Sequence, residues 1–155
     1  MKKACCFTGH RRIASAHLPC IKEKLKKEIL TLIEGGVNEF ITGGALGFDT
    51  LAATIILGIK KEYPDVKLFL YLPCPEQDKL WSDKDKAIYR DILKEAARTE
   101  YVCPSYRDGC MLQRNRAMVD ASSVCIAYYD GRPRSGTAMT VSYAGKKGVP
   151  VINIY

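Results

Sequence analysis

From Phe40 to Asp49 the chain reads Phe40-Ile41-Thr42-Gly43-Gly44-Ala45-Leu46-Gly47-Phe48-Asp49, a strand-like apolar pair that runs into a glycine cluster and opens onto a helical pattern. Such a corner suits an anion. Glycines let backbone N–H groups approach an oxygen with no Cβ in the way, and the following helix adds its positive dipole end and unpaired first donors. A glycine-rich turn that only makes a tight corner has the same composition, so Gly43, Gly44, Ala45 and Gly47 alone leave both readings open. Arginine placement favours a ligand. Of nine arginines, seven (Arg11, Arg12, Arg107, Arg114, Arg116, Arg132, Arg134) sit in or beside the segments that lead from strand-like runs into helical ones, whereas only Lys79 of fifteen lysines does. Guanidinium groups fork onto phosphate or carboxylate and ammonium groups do not. Salt bridges to Asp108, Asp130 or Glu76 are the competing use of the same arginines. Charge-assisted bonds of roughly 1.5–3 kcal/mol each, with about 0.3–1 kcal/mol from a helix terminus, suffice for a micromolar complex near about −8 kcal/mol.

These groups need elements to hold them. Short β-branched or aromatic runs, Lys3–Phe7, Glu39–Thr42, Lys67–Leu72, Glu100–Cys103, Val124–Tyr128 and Val149–Ile154, alternate with five helical patterns. The first pattern, Leu18–Glu34, places Ile21, Leu25, Ile29, Leu32 and Ile33 on one side of a Lys/Glu-rich helix. The second, Asp49–Lys61, is mostly apolar. The third starts near Ser82, where Ser82-Asp83-Lys84-Asp85 resembles a capping box, and turns Tyr89, Ile92, Leu93 and Ala96 inward. The fourth covers Leu112–Ala121 and the fifth Thr137–Lys146. Strict β-α alternation predicts parallel strands joined by right-handed crossovers: an α/β single-domain Rossmann-like three-layer sandwich with a mainly parallel sheet. In such a sheet, ligands bind at the carboxyl rim, where strand order reverses. The segments on that rim, 8–12, 42–49, 73–81, 104–116 and 129–136, hold nearly every chemically interesting group.

Composition is ordinary. A 155-residue chain, 47% hydrophobic and 26% charged, is one domain able to bury roughly 70% of the surface its unfolded form exposes. The start turns polar too soon for a signal-peptide core, and no apolar run is long enough for a bilayer, so a cytoplasmic protein without membrane contact is expected. Seven cysteines, with no C-x-x-C pair, read as reduced thiols. With His10 and His17 the only histidines, no metal is expected.

Phe7-Thr8-Gly9-His10-Arg11, the Gly43 to Asp49 corner, Gln113-Arg114-Asn115-Arg116-Ala117-Met118-Val119-Asp120 and Ser135-Gly136-Thr137, in this order, resemble the YpsA-like branch of the SLOG superfamily over nearly the whole chain. That superfamily also contains DNA-processing protein A and the lonely-guy phosphoribohydrolases. The resemblance implies that the Gly43–Gly47 and Ser135-Gly136-Thr137 turns face each other and grip phosphate and ribose, with Thr8, Gly9, His10 and Arg11 as a third wall. His10 then donates to a ligand oxygen or caps nearby chain. Asp49 accepts a ribose hydroxyl or stabilises its helix N-terminus. Arg114 and Asn115 reach the ligand or brace loops. Gln77 and Trp81 match a Q-x-x-x-W pattern of the branch, and Trp81 either stacks on an aromatic ligand or closes the third helix.

The resemblance therefore implies binding of a phosphate-bearing, nucleotide-derived small molecule, as a sensor or regulatory protein with no required cofactor. Two alternatives stand beside it. Phosphoribohydrolase relatives carry a glutamate in G-G-x-G-T-x-x-E, whereas Thr140 occupies that place here, so no catalytic residue is assigned. Single-stranded nucleic acid is the other alternative: net charge +7 and Arg114-Asn115-Arg116 support it, but lysines spread over helices and no aromatic-basic stripe do not favour it. A homodimer is compatible with the superfamily, and no residue pattern requires one.

Overall fold

The computed structural model describes residues 3–155; Met1 and Lys2, half of the basic start, lie outside the described residues. The elements alternate as β1 (Ala4–Gly9), α1 (Leu18–Glu34), β2 (Glu39–Thr42), α2 (Phe48–Lys60), β3 (Lys67–Leu72), α3 (Asp83–Glu95), β4 (Arg98–Tyr101), α4 (Cys110–Asp120), β5 (Val124–Tyr128), α5 (Gly136–Lys146) and β6 (Val151–Asn153). All paired strands are parallel, in the order β4-β3-β2-β1-β5-β6. The chain therefore builds outward from β1 to β4, then returns to β1's other side with β5. That reversal opens a crevice between the carboxyl ends of β1 and β5.

Alternation along the strands divides the apolar side chains between two faces. Phe7, Phe40, Leu68, Leu70 and Ile126 meet Ile21, Leu25 and Ile29 of α1, Ala52 and Ile56 of α2, and Tyr89 and Ile92 of α3. Cys6, Ile41, Tyr71 and Cys125 turn the other way, onto Met118 and Val119 of α4 and Ala144 of α5. The result is the expected three-layer sandwich. All seven cysteines are free, six of them buried.

Most expected boundaries shift by a residue or two, β1 to Ala4–Gly9 and β6 to Val151–Asn153 among them, and two of the shifts are instructive. The fourth strand is Arg98–Tyr101, not Glu100–Cys103, because register with Phe69–Leu72 places it there; as the sheet's edge strand it is mostly exposed and so lacks the apolar signature that drew the reading to Val102 and Cys103. Helix α4 begins at Cys110, two residues early, because Gly109 at φ +83° makes the turn into it. Ser82 caps α3 as expected, its Oγ accepting from the Asp85 amide at 3.2 Å.

Leu70, fully buried between β2 and α2, tests the larger core: Leu70→Ala should cost about 2–5 kcal/mol, seen in urea unfolding as a lower midpoint with an unchanged slope.

Candidate functional site

At the β1/β5 crevice lies a cavity of about 540 Å³. Thr8 to Arg12 follow from β1, Ala45 and Asp49 belong to the β2–α2 corner, Met111, Arg114 and Asn115 to the start of α4, and Arg132 with Ser135, Gly136 and Thr137 to the β5–α5 corner. The first, second and last corners predicted to converge do so. Four guanidinium groups, from Arg11, Arg12, Arg114 and Arg132, line it against one carboxylate, Asp49. Thr8 and Thr137 are each 6% exposed, and no described residue bonds to either hydroxyl. At the start of α5 the Ser135 Oγ accepts from the Ala138 amide at 3.0 Å.

The floor is a knot of buried charge. Arg114, 4% exposed, donates through Nη1 to the carbonyl of Gly43 and through Nε to Asn115 Oδ1 at 2.7 Å. Burial lowers its pKa, and the nearby Asp49 carboxylate opposes that. Burial raises the pKa of Asp49, opposed by Arg114, by the Ala45 amide, by Arg11 and by the Gly43 amide. Asp49 Oδ2 accepts from the Ala45 N–H at 3.3 Å. The glycine turn thus spends donors on the chain's own carboxylate. A Cβ on Gly43 would lie 2.5 Å from Arg114 Nη1 and 2.9 Å from Asp49 Oδ2, so glycine there leaves the room in which the two ions approach. At Gly47, φ is +80°, and a Cβ would strike the Arg11 carbonyl group; this close approach seats the first corner on the second.

The opposite lip is laced to β6. Asn153 Oδ1 accepts from the Tyr129 amide at 3.1 Å while its Nδ2 donates to the Tyr129 carbonyl at 2.9 Å. Beyond it, Asp130 pairs with Arg132, whose hydrogen bonds hold the Asp130 carboxyl well below the usual carboxylate range. His10 Nε2 accepts from the Asp130 amide at 3.1 Å and lies the same distance from Asp130 Oδ1.

The expected site residues fall into two groups. Thr8, Gly9, His10, Arg11, Ala45, Asp49, Arg114, Asn115, Ser135, Gly136 and Thr137 line the cavity. Gly43, Gly44, Gly47, Gln77 and Trp81 do not: the glycines shape the turn behind the wall, Gln77 Nε2 donates to Tyr89 Oη at 3.3 Å, and Trp81 packs edge-on against Tyr89 at 5.0 Å. Phe7, Arg12, Met111 and Arg132 complete the lining. The arginine count marks Arg12 and Arg132 in the sequence; Phe7 and Met111 carry no such signal.

Removing Arg114 would take from the buried Asp49 carboxylate the nearby cation that most opposes the cost of its burial. Arg114→Met should cost about 3–5 kcal/mol at neutral pH. With its cation gone, Asp49 has a folded-state pKa raised further above the unfolded value, so the protonated form is favoured on folding and stability returns as pH falls through that raised pKa. Urea unfolding at neutral and mildly acidic pH, with Asp49→Asn added to Arg114→Met as the comparison, reads this out; the double variant should lose the pH dependence.

The YpsA family model, described as the YspA SLOG family, matches residues 6–154. The SPbeta prophage-derived protein YoqJ of Bacillus subtilis (strain 168) is 35% identical over 140 residues, which cover 79% of this chain and 81% of YoqJ. A UPF0398 protein of Bacillus cereus (strain B4264) is 30% identical over 131 residues, 83% of this chain and 71% of that protein. Among solved structures, DNA processing protein A from Helicobacter pylori, studied for its single-stranded DNA binding mode, matches with a TM-score of 0.66 at 23% identity over 97% of this chain and 64% of its own. The same protein from Streptococcus pneumoniae matches with a TM-score of 0.67 at 15% identity, over 97% of this chain and 49% of its own. These two likenesses concern the fold, and this chain spans only part of either protein. No helix among the described residues is long and apolar enough to cross a membrane. With its Rossmann-like sheet and a family match that runs from β1 to β6, the chain belongs to the YspA SLOG family.

Proposed function

We propose that the rim cavity binds a nucleotide through its phosphate. One observation carries the proposal: four arginines, two of them (Arg11 and Arg12) with no carboxylate partner among the described residues, and the threonines Thr8 and Thr137 converge on a single cavity beside the start of α5. Its volume, about 540 Å³, is within the usual range for small-ligand sites. Arginine forks and helix-start amides are the groups that recognise phosphate oxygens. Asp49, already holding backbone donors on one side, offers its remaining lone pairs to a sugar hydroxyl. The proposal is binding without a reaction. Thr140, at the place of the phosphoribohydrolase glutamate, is 1% exposed and donates to the Gly136 carbonyl at 2.8 Å, so it faces its own helix; Asp49 is the one carboxylate lining the cavity among the described residues, without the partner an acid/base couple needs.

The nucleotide arrives either free or as part of a single strand. The fold likeness to a single-stranded-DNA-binding protein and the net charge of +7 support the strand; the sequence pattern alone had not favoured it. The cavity's volume, which suits one small ligand, supports the free molecule.

Thermal unfolding with thymidine monophosphate or inorganic phosphate, and anisotropy of a fluorescein-labelled oligothymidylate at low and physiological salt, separate the two. Stabilisation by the mononucleotide is expected in both cases; strand binding that persists at physiological salt selects the second. Arg11→Ala, whose side chain makes an exposed contact to Met111 Sδ at 3.3 Å and adds to the positive charge around Asp49, should weaken either ligand about tenfold. A protein that neither phosphate compound stabilises and that captures no oligonucleotide would contradict the assignment.

A further inference from the structure

A second, smaller cavity of about 280 Å³ lies against the first. The two are walled by neighbouring residues. Asn115, Arg132 and Thr137 line the rim cavity, while their neighbours Arg116, Pro133 and Ala138 line the second. One step along a helix turns a side chain by about 100°, so at the opening turns of α4 and α5 the two cavities lie side by side on adjacent faces, with no residue lining both. The second then follows α5, where Met139, Ser142, Tyr143 and Lys146 recur at helical spacing on one face.

Its chemistry is mixed. Leu112, Pro133 and a half-exposed Met139 make an apolar floor. Arg116 and Lys146 stand over it, and no carboxylate lines it among the described residues. The Arg116 guanidinium lies 5.3 Å from the Tyr143 ring centre, with Lys147 Nζ 5.6 Å from the same ring. Tyr143 is itself anchored, its hydroxyl donating to Asp120 Oδ1 at 2.8 Å. A tyrosine tied down at its hydroxyl holds the Arg116 cation along the groove rather than letting it sway in solvent. Paired cations above an apolar floor match a single strand, whose phosphates are anionic and whose bases present flat apolar faces. A free mononucleotide would be used up in the rim cavity and have nothing left for this groove.

We propose that the α4–α5 groove is a continuation subsite: a single-stranded nucleic acid seats one phosphate in the rim cavity and passes its next nucleotides between Arg116 and Lys146. This rests on the strand reading above. The groove supplies affinity for length, and the rim cavity supplies affinity for the first phosphate.

The test compares a fluorescein-labelled oligothymidylate with thymidine monophosphate on the full chain carrying Arg116→Glu and Lys146→Glu together. Oligonucleotide affinity should fall about tenfold or more and the salt slope should flatten by about two, while mononucleotide stabilisation stays as in the unsubstituted protein, which also shows that the variant is folded. Arg116→Lys should keep most of the oligonucleotide affinity. Unchanged oligonucleotide affinity and slope in the double variant overturn the groove while leaving the rim site standing, provided Arg11→Ala still weakens the strand. Equal losses for mononucleotide and oligonucleotide overturn it as well, since they place the effect at the rim. An oligonucleotide that no form of the protein binds removes the strand reading and this subsite together.

Discussion

The site depends on one electrostatic constraint, the burial of Arg114 beside Asp49 under the Gly43 turn. Two ions held out of water need each other and need hydrogen bonds for their remaining valences. Here those partners are backbone groups: the Gly43 carbonyl for the cation and the Ala45 amide for the anion. The pair therefore ties the start of α4 to the β2–α2 corner from opposite sides of the sheet. Because a Cβ on Gly43 would press on both the Arg114 guanidinium and the Asp49 carboxylate, the glycine is as much a part of the arrangement as the ions are. The positive floor of the cavity comes from this tie, since Arg114 is half of it and lines the cavity too.

Around that floor, the walls follow from topology. The reversal of strand order leaves the ends of β1 and β5 without a covering connection, and three corners fill the gap. Gly47 lets the second corner come against the Arg11 carbonyl group. The Asn153 carboxamide substitutes for a sheet partner beside Tyr129, which fixes where the last corner leaves the sheet. The cavity is thus framed by backbone, with exposed arginines added at its mouth.

Much of this was legible in the sequence. Continuous apolar runs such as Val124–Tyr128 and the one-sided stripe Ile21, Leu25, Ile29 depend on burial alone, so the layers and the rim loops could be read directly. Ser82 announces its helix because an N-cap is a local interaction. The misplaced fourth strand shows the converse: an exposed edge strand has no apolar face, and only pairing with β3 reveals it. Gln77 and Trp81 are a sharper case. A glutamine and a tryptophan four residues apart look equally suited to a base or to a tyrosine, and only the position of Tyr89 on α3 shows which one they meet in the fold. The role of Asp49 in holding its own loop was likewise invisible, because it depends on Arg114, 65 positions away along the chain.

The cavity's two main walls come from the two ends of the chain, residues 8–12 and 132–137. Neither half of the protein holds the whole binding site during synthesis, since the crevice exists only after β5 has docked beside β1. Occupancy therefore reports completion of the whole domain, and a bound ligand would resist global unfolding more than the fraying of any single helix.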